Sequence, residues 1–359
     1  LIGTVNSVEA RRFDLNADPY GLNIGLKGRV TNPADNRERR VIVDDLRLAL
    51  TGEGARTLLA MVPGLKDDVK GYITRLGGVN AHLKGQLLPG IAKAAADIRT
   101  GIGNVIADGT VDFSRRGILG IDGHVETPGF AVGTLLQQDK LGLVAVVADA
   151  DVTLAENDVN GHAKVNLNRF DFSGRTISGV LADVTKAGNR ISGSASVDDA
   201  AVSLKAKGDV TLAGKATSID ATVDIAHINP AAAGLSGTAA KYIVSGHARA
   251  AVNGIDPETF TGEVNLSDFT INGPHGPLSV DYLNITAGND NGGDTPQRIL
   301  SLRSPFVDGD VTGHFDVARL PAMAKTLLAQ ALPSAFEQVS DFSDFRDQNI
   351  TYNLIVKNN

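Results

Sequence analysis

Apolar and polar residues alternate along most of this 359-residue chain, with glycine punctuating the alternation. In Gly21-Leu22-Asn23-Ile24-Gly25-Leu26-Lys27-Gly28-Arg29-Val30 the apolar side chains fall on even numbers. An extended backbone therefore places them on one face and Asn23, Lys27 and Arg29 on the other. The phrase returns at Val79 to Leu87, Val105 to Phe113, Val159 to Leu167, Ile219 to Ile225, Tyr242 to Val252, Val307 to Phe315 and Ile350 to Val356. A period of two predicts strands at each of these places. Turn formers at Asn32-Pro33-Ala34-Asp35-Asn36, Ala187-Gly188-Asn189, Ala213-Gly214-Lys215 and Asn272-Gly273-Pro274 separate the runs, as in hairpins following one another. One wet and one apolar face is the antiparallel habit, whereas doubly covered parallel strands read as continuous apolar runs. A mostly β, antiparallel fold is expected, and a doubly wound α/β enzyme is disfavoured.

Three segments carry a helical pattern instead. From Leu320 to Leu332 the apolar positions Leu320, Met323, Ala324, Leu327, Leu328, Ala331 and Leu332 follow three-and-four spacing, with Pro321 suited to the first turn and Pro333 ending it. An Ala-rich stretch from Ile91 to Ile98, between Pro89-Gly90 and Thr100-Gly101, predicts a weaker helix, and Ala55 to Val62 a third. The phrase Gly-polar-apolar also repeats without fixed period, at Gly123-His124-Val125, Gly161-His162-Ala163, Gly246-His247-Ala248 and Gly313-His314-Phe315. Such repetition predicts one elongated, repeat-built unit over 1–359, with a possible subdivision into 1–100 and 101–359.

Composition narrows the function classes. The chain is 42% hydrophobic but only 5% aromatic, with no Trp and 40 Gly, so its strands pack through aliphatic side chains. The net charge of −7 comes with intermixed signs and no basic stripe, which argues against a nucleic-acid partner because phosphate neutralisation needs clustered Lys and Arg. Absence of cysteine removes disulfides, thiolate metal sites and Cys nucleophiles together, as suits a bacterial envelope protein. No apolar run approaches the roughly 20 residues of a spanning helix. The opening Leu1-Ile2-Gly3-Thr4-Val5 is already strand-like, so the chain is expected to be an interior piece of something larger.

Catalytic constellations are not evident. His124, His162, His247 and His314 follow glycine and take the polar phase of their strands, which predicts solvated imidazoles, and no metal-ligand spacing appears. Of the paired acids at 44–45, 67–68, 149/151 and 198–199, only Asp149 and Asp151 share a face. Acid–base catalysis needs two carboxylates at a set separation in a cleft. Asn289-Asp290-Asn291-Gly292-Gly293-Asp294-Thr295 has the oxygen ligands of a calcium loop but Ser301 where an EF-hand has its closing acid, and reads as a hairpin tip. Gly101-Ile102-Gly103 precedes a strand pattern, unlike a dinucleotide fingerprint. The expectation is a protein without catalysis, cofactor or metal.

The run Val311-Thr312-Gly313-His314-Phe315-Asp316, Leu320-Pro321, Leu327-Leu328-Ala329-Gln330, Leu332-Pro333-Ser334-Ala335-Phe336, Asp344-Phe345 and Thr351 to Asn358 resembles the TamB-like translocation and assembly module proteins of Bacteroidetes. This match covers about the last 50 residues, and the other strands are similar in texture to the wider AsmA-like group. The resemblance implies an open, twisted β-groove in a long periplasmic protein, anchored in the inner membrane outside this piece. It further implies that the groove carries phospholipid acyl chains toward the outer membrane, with the outer-membrane assembly machinery as partner.

The residues independently suit such a groove. A continuous aliphatic trough shelters lipid tails whose exposure to water costs roughly 0.8 kcal/mol per methylene. The side chains expected to line it are Leu22, Ile24, Leu26, Val111, Phe113, Val165, Leu167, Val210, Leu212, Val264, Leu266, Val311, Phe315, Leu354 and Val356. The alternative is a structural or adhesive β-solenoid or sandwich whose apolar faces close on protein side chains. Small residues on the apolar phase, Ala81, Gly109, Ala163, Gly246, Ala248 and Ala250, favour the open groove. The helix at 320–332 is expected to cap or gate it.

Overall fold

The computed structural model describes residues 2–357 apart from 5, 62–65, 157, 234, 236, 238, 257–258, 275, 291–296, 316–318, 320–322, 324–325 and 327–348. Of the described residues 70% are in strands and 11% in helices, and their 21 strands form an open antiparallel sheet that is not closed into a barrel. It divides into two units, Leu1–Gly188 with Ala195–Asp199, and Asn189–Ser194 with Ala200–Asn359.

In the first unit the strands are β1 (Ile2–Thr4), β2 (Ser7–Ala17), β3 (Leu22–Thr31), β4 (Arg40–Leu50), β5 (Val79–Leu88), β6 (Ile91–Thr100), β7 (Gly103–Asp112), β8 (Ile118–Ala131), β9 (Leu141–Ala155), β10 (Asp158–Phe172), β11 (Arg175–Ile177) and β12 (Val180–Ala187). From β1 to β10 each strand pairs antiparallel with the next, and β10 pairs with both β11 and β12. Three helices, α1 (Gly52–Met61), α2 (Asp67–Arg75) and α3 (Val132–Leu136), interrupt this meander. All three lie at one end of the strands: α1 and α2 join the end of β4 to the start of β5, and α3 joins β8 to β9. Arg75 Nε donates to the Leu135 carbonyl at 2.7 Å, tying α2 to α3.

The second unit holds β13 (Arg190–Asp198, shared with the first), β14 (Val202–Thr211), β15 (Ser218–Ile228), β16 (Ile243–Asn253), β17 (Thr261–Gly273), β18 (Gly276–Asp290), β19 (Gln297–Arg303), β20 (Val307–His314) and β21 (Asn349–Val356). From β14 to β21 every neighbour in sequence is an antiparallel neighbour in the sheet.

The strands predicted from alternation are all present, but the helix expected from Ile91 to Ile98 is not. That segment is β6, paired residue by residue with β5 and β7. Alanine is the strongest intrinsic helix former, but propensity is a weak force that tertiary context overrides. Here Ala92, Ala94, Ala96 and Ile98 continue the apolar rows of β5 and β7, and Pro89-Gly90, with Gly90 at φ +77, makes the two-residue turn that starts the hairpin. Cross-strand packing outweighs intrinsic preference. The helix expected at 55–62 is α1, beginning three residues earlier; α2 and α3 were not foreseen. The helix at 320–332 lies outside the described residues except for Met323 and Thr326, which are helical and buried. Positions 291–296 of the acidic loop also lie outside them.

Candidate functional site: an uncovered aliphatic face

Register converts the alternation into transverse rows. In the first unit one row runs Phe13, Leu26, Leu46, Leu83, Ala96, Ala107, Val125, Ala148, Val165, Ala182 across ten strands. At about 4.8 Å per strand it extends roughly 43 Å. Beside it lies a row of small residues, Ala10, Gly28, Val43, Gly85, Ala94, Gly109, Gly123, Ala150, Ala163 and Val184. A further row carries Val30, Val41, Leu87, Ala92, Val111, Ile121 and Val152. The second unit repeats the pattern, with Val210, Ile219, Val252, Gly262, Ala287, Leu300, Val311 and Tyr352 in one row.

Of the residues predicted to line a trough, Leu22, Ile24 and Leu26 stand together on β3, facing Leu50, Leu48 and Leu46. Val111, Val165 and Leu167 take the same face of the first unit. Val210, Val264, Leu266, Val311, Leu354 and Val356 take the corresponding face of the second. Phe113 and Leu212 sit one residue beyond the ends of β7 and β14, and both are exposed. Phe315 lies one residue past β20 and is half-buried, with the Arg298 guanidinium 6.0 Å from its ring.

The face is aliphatic, yet the described residues cover it only in part. Among the described residues only Ala55, Ala145, Ala287 and Met323 are buried hydrophobics, and no large side chain is fully buried. The row residues are mostly half-buried. A closed sandwich of this composition would enclose large aliphatic side chains completely, since each contributes about 1.5–3 kcal/mol when buried.

The Gly-His phrase has a backbone cause at three of its four sites. Gly161, Gly246 and Gly313 have φ of +148, +142 and +131 within strands. At Gly161 a Cβ would stand 2.2 Å from the Asp151 carbonyl oxygen of β9. Glycine is required there by backbone conformation and by close approach of the neighbouring strand.

His124, His162, His247 and His314 lie on the polar face, as expected, and the first three, with His82, are paired across strands. His82 Nε2 meets Asp45, His124 Nδ1 meets Asp149, His162 Nε2 meets Asp183 and His247 Nδ1 meets Asp224, each at 2.7 Å. His124 with Asp149 and His247 with Asp224 are directly opposite; the other two pairs are diagonal. Sequence reasoning missed these pairs because register decides them. Asp149 raises the pKa of His124 above its ordinary 6.5 through their hydrogen bond, partial burial opposes this, and the charges of Asp149, Asp108 and Glu126 add to the rise. Protonated His124 therefore steadies the β8–β9 pair fully below pH 6.5, and this contribution fades as pH rises through the folded-state pKa. The His124→Gln variant is expected to melt below the parent at pH 6 and together with it at pH 9; an equal gap at both would refute the titration.

Among the described residues no three His, Cys, Asp or Glu side chains converge as a cation site, and no helix is long and apolar enough to cross a membrane. Comparison with protein-family models, curated proteins and solved structures finds no match to this chain.

Proposed function

We propose that this chain is a non-enzymatic portion of a periplasmic bridge between the inner and outer membranes, whose apolar sheet face shelters phospholipid acyl chains. The observation that carries the reading is the aliphatic face itself: row after row of Val, Leu, Ile and Ala, without large side chains fully buried against it among the described residues. Exposed aliphatic surface of this extent calls for an apolar occupant. Lining without fixed polar contacts suits a conduit, which must hold tails without selecting among them, better than a binding pocket. The family resemblance of the last 50 residues supplies the periplasmic setting, the inner-membrane anchor outside this piece and the outer-membrane assembly machinery as a partner.

Native mass spectrometry with lipid extraction tests this on the purified chain and on Leu266→Asp. Leu266 sits between Ala248 and Leu283 on the apolar face of the second unit, so a carboxylate there places charge in the path of a tail. Co-purifying phospholipid, reduced severalfold in the variant, is expected. A lipid-free and stable parent chain would instead favour a structural β-protein.

A further inference from the structure

The paired side chains of the polar face make one pair of arginines conspicuous. On the strands, Arg47 ion-pairs with Asp45, Arg99 with Asp97, Arg169 with Asp171, Arg190 with Asp209, Arg249 with Asp220 and Arg303 with Asp310, while Arg29 and Arg40 stand singly without such a pair among the described residues. Arg115 and Arg116, adjacent in the turn between β7 and β8, have no hydrogen-bond or ion-pair partner for either guanidinium among the described residues, and both are exposed. The acid nearest in sequence, Asp112, is engaged elsewhere: its carboxylate accepts the Ser114 backbone N–H at 2.9 Å, and Arg115 acts on it only through space.

Where these arginines stand gives them a use. The row through Leu87, Ala92, Val111 and Ile121 lies nearest the end of the strands at which this turn stands. Phe113 continues the phase of Val111 one step past β7, fixed by its backbone N–H donating to the Gly90 carbonyl at 2.8 Å. Leu87 and Phe113 are each 44% exposed. The apolar face thus runs out onto an exposed leucine and an exposed phenyl ring, and the next residues but one are two uncommitted guanidiniums. Apolar surface meeting free cationic forks is the complement of an amphiphile: tail along the row, anionic head at the turn. Guanidinium is suited to this because its planar donors match phosphate oxygens bidentately and it sheds water more readily than ammonium.

We propose that Arg115 and Arg116 form a head-group site at the margin of the apolar face, selecting lipids whose phosphate-bearing head carries net negative charge while the acyl chain lies over Phe113, Leu87 and Val111. The site rests on the acyl-chain reading above and adds a preference that the aliphatic rows cannot provide. Tails are alike among phospholipids; heads are not.

The test incubates the full chain with vesicles holding equal amounts of phosphatidylglycerol and phosphatidylcholine, re-isolates it and counts bound lipids by native mass spectrometry. The parent chain is expected to enrich phosphatidylglycerol about tenfold, as two basic side chains near an anionic head provide, and to lose the enrichment at about 0.5 M salt. Arg115→Gln/Arg116→Gln, a change confined to an exposed turn, is expected to bind as much lipid in total but the two lipids about equally. Enrichment that survives in the double variant, or a parent chain that takes both lipids alike, overturns the head-group site while leaving the trough intact. A parent chain that takes up neither lipid overturns both.

Discussion

Leu167→Asp is expected to remove most of the lipid that co-purifies with this chain and to leave the sheet folded. Leu167 lies on β10 opposite Val146 of β9 and Val180 of β12, so its side chain belongs to the aliphatic face and is half-buried there. An ionised carboxylate at that point keeps water in the trough. Each methylene forced to remain hydrated forgoes roughly 0.8 kcal/mol, and a tail spanning several rows loses severalfold in occupancy at the least. The backbone pairing does not depend on the side chain, so far-ultraviolet circular dichroism should be unchanged. Asn166→Asp is the matched control: one residue away on the same strand, it points to the polar face, and its lipid content is expected to equal the parent's. Equal lipid in Leu167→Asp and the parent, by native mass spectrometry, would sink the conduit reading. Equal loss in both variants would show a general charge effect in place of a face-specific one.

Gly133→Ala is expected to be the most destabilising single methyl group that can be added to this chain's helical end. Gly133 is buried in α3, and a Cβ there would stand 1.8 Å from the Leu141 carbonyl oxygen and 2.9 Å from that of Gln138. Neither contact can be relieved by a side-chain rotation, because both partners are backbone. The α3–β9 connection must move, and with it the Gln138 N–H to Gly133 carbonyl bond of 3.0 Å. Overpacking of this kind costs about 3 kcal/mol. Gly129→Ala, where nothing stands within 4 Å of the added methyl, is expected to be near neutral. Hydrogen exchange over β9 reads the difference locally: protection of the Leu141–Ala155 amides should fall in Gly133→Ala alone. Unchanged protection would mean that the turn tolerates displacement.

Much of the strand content was legible because its signal is local. Period-two alternation marks β3, β5, β7, β10 and β16 directly, and Pro or Gly marks the turns between them. The segment at Ile91 to Ile98 was misread because four alanines satisfy a helical and an extended pattern equally, and only strands on both sides decide between them. Helix α2 was hidden for the opposite reason. Its residues Asp67-Asp68-Val69-Lys70-Gly71 carry little apolar periodicity, and contacts with α1 and α3 support it.

The sequence by itself determined that the chain is β-rich and antiparallel, and which side chains share a face, since an extended backbone alternates its side chains whatever surrounds it. It also determined that the faces would be aliphatic. Tertiary structure alone decided what lies beside what: that Gly109 meets Gly123, that His124 meets Asp149, that Phe113 stands one step beyond the row holding Leu87 and Val111, and that Arg115 and Arg116 make no side-chain hydrogen bond or ion pair among the described residues. These depend on register and on turn geometry, and a shift of one residue in pairing would send every side chain of a strand to the other face. Whether an apolar face stays uncovered is likewise a property of the pairing as a whole, for it is set by what the remaining chain does or does not place against it.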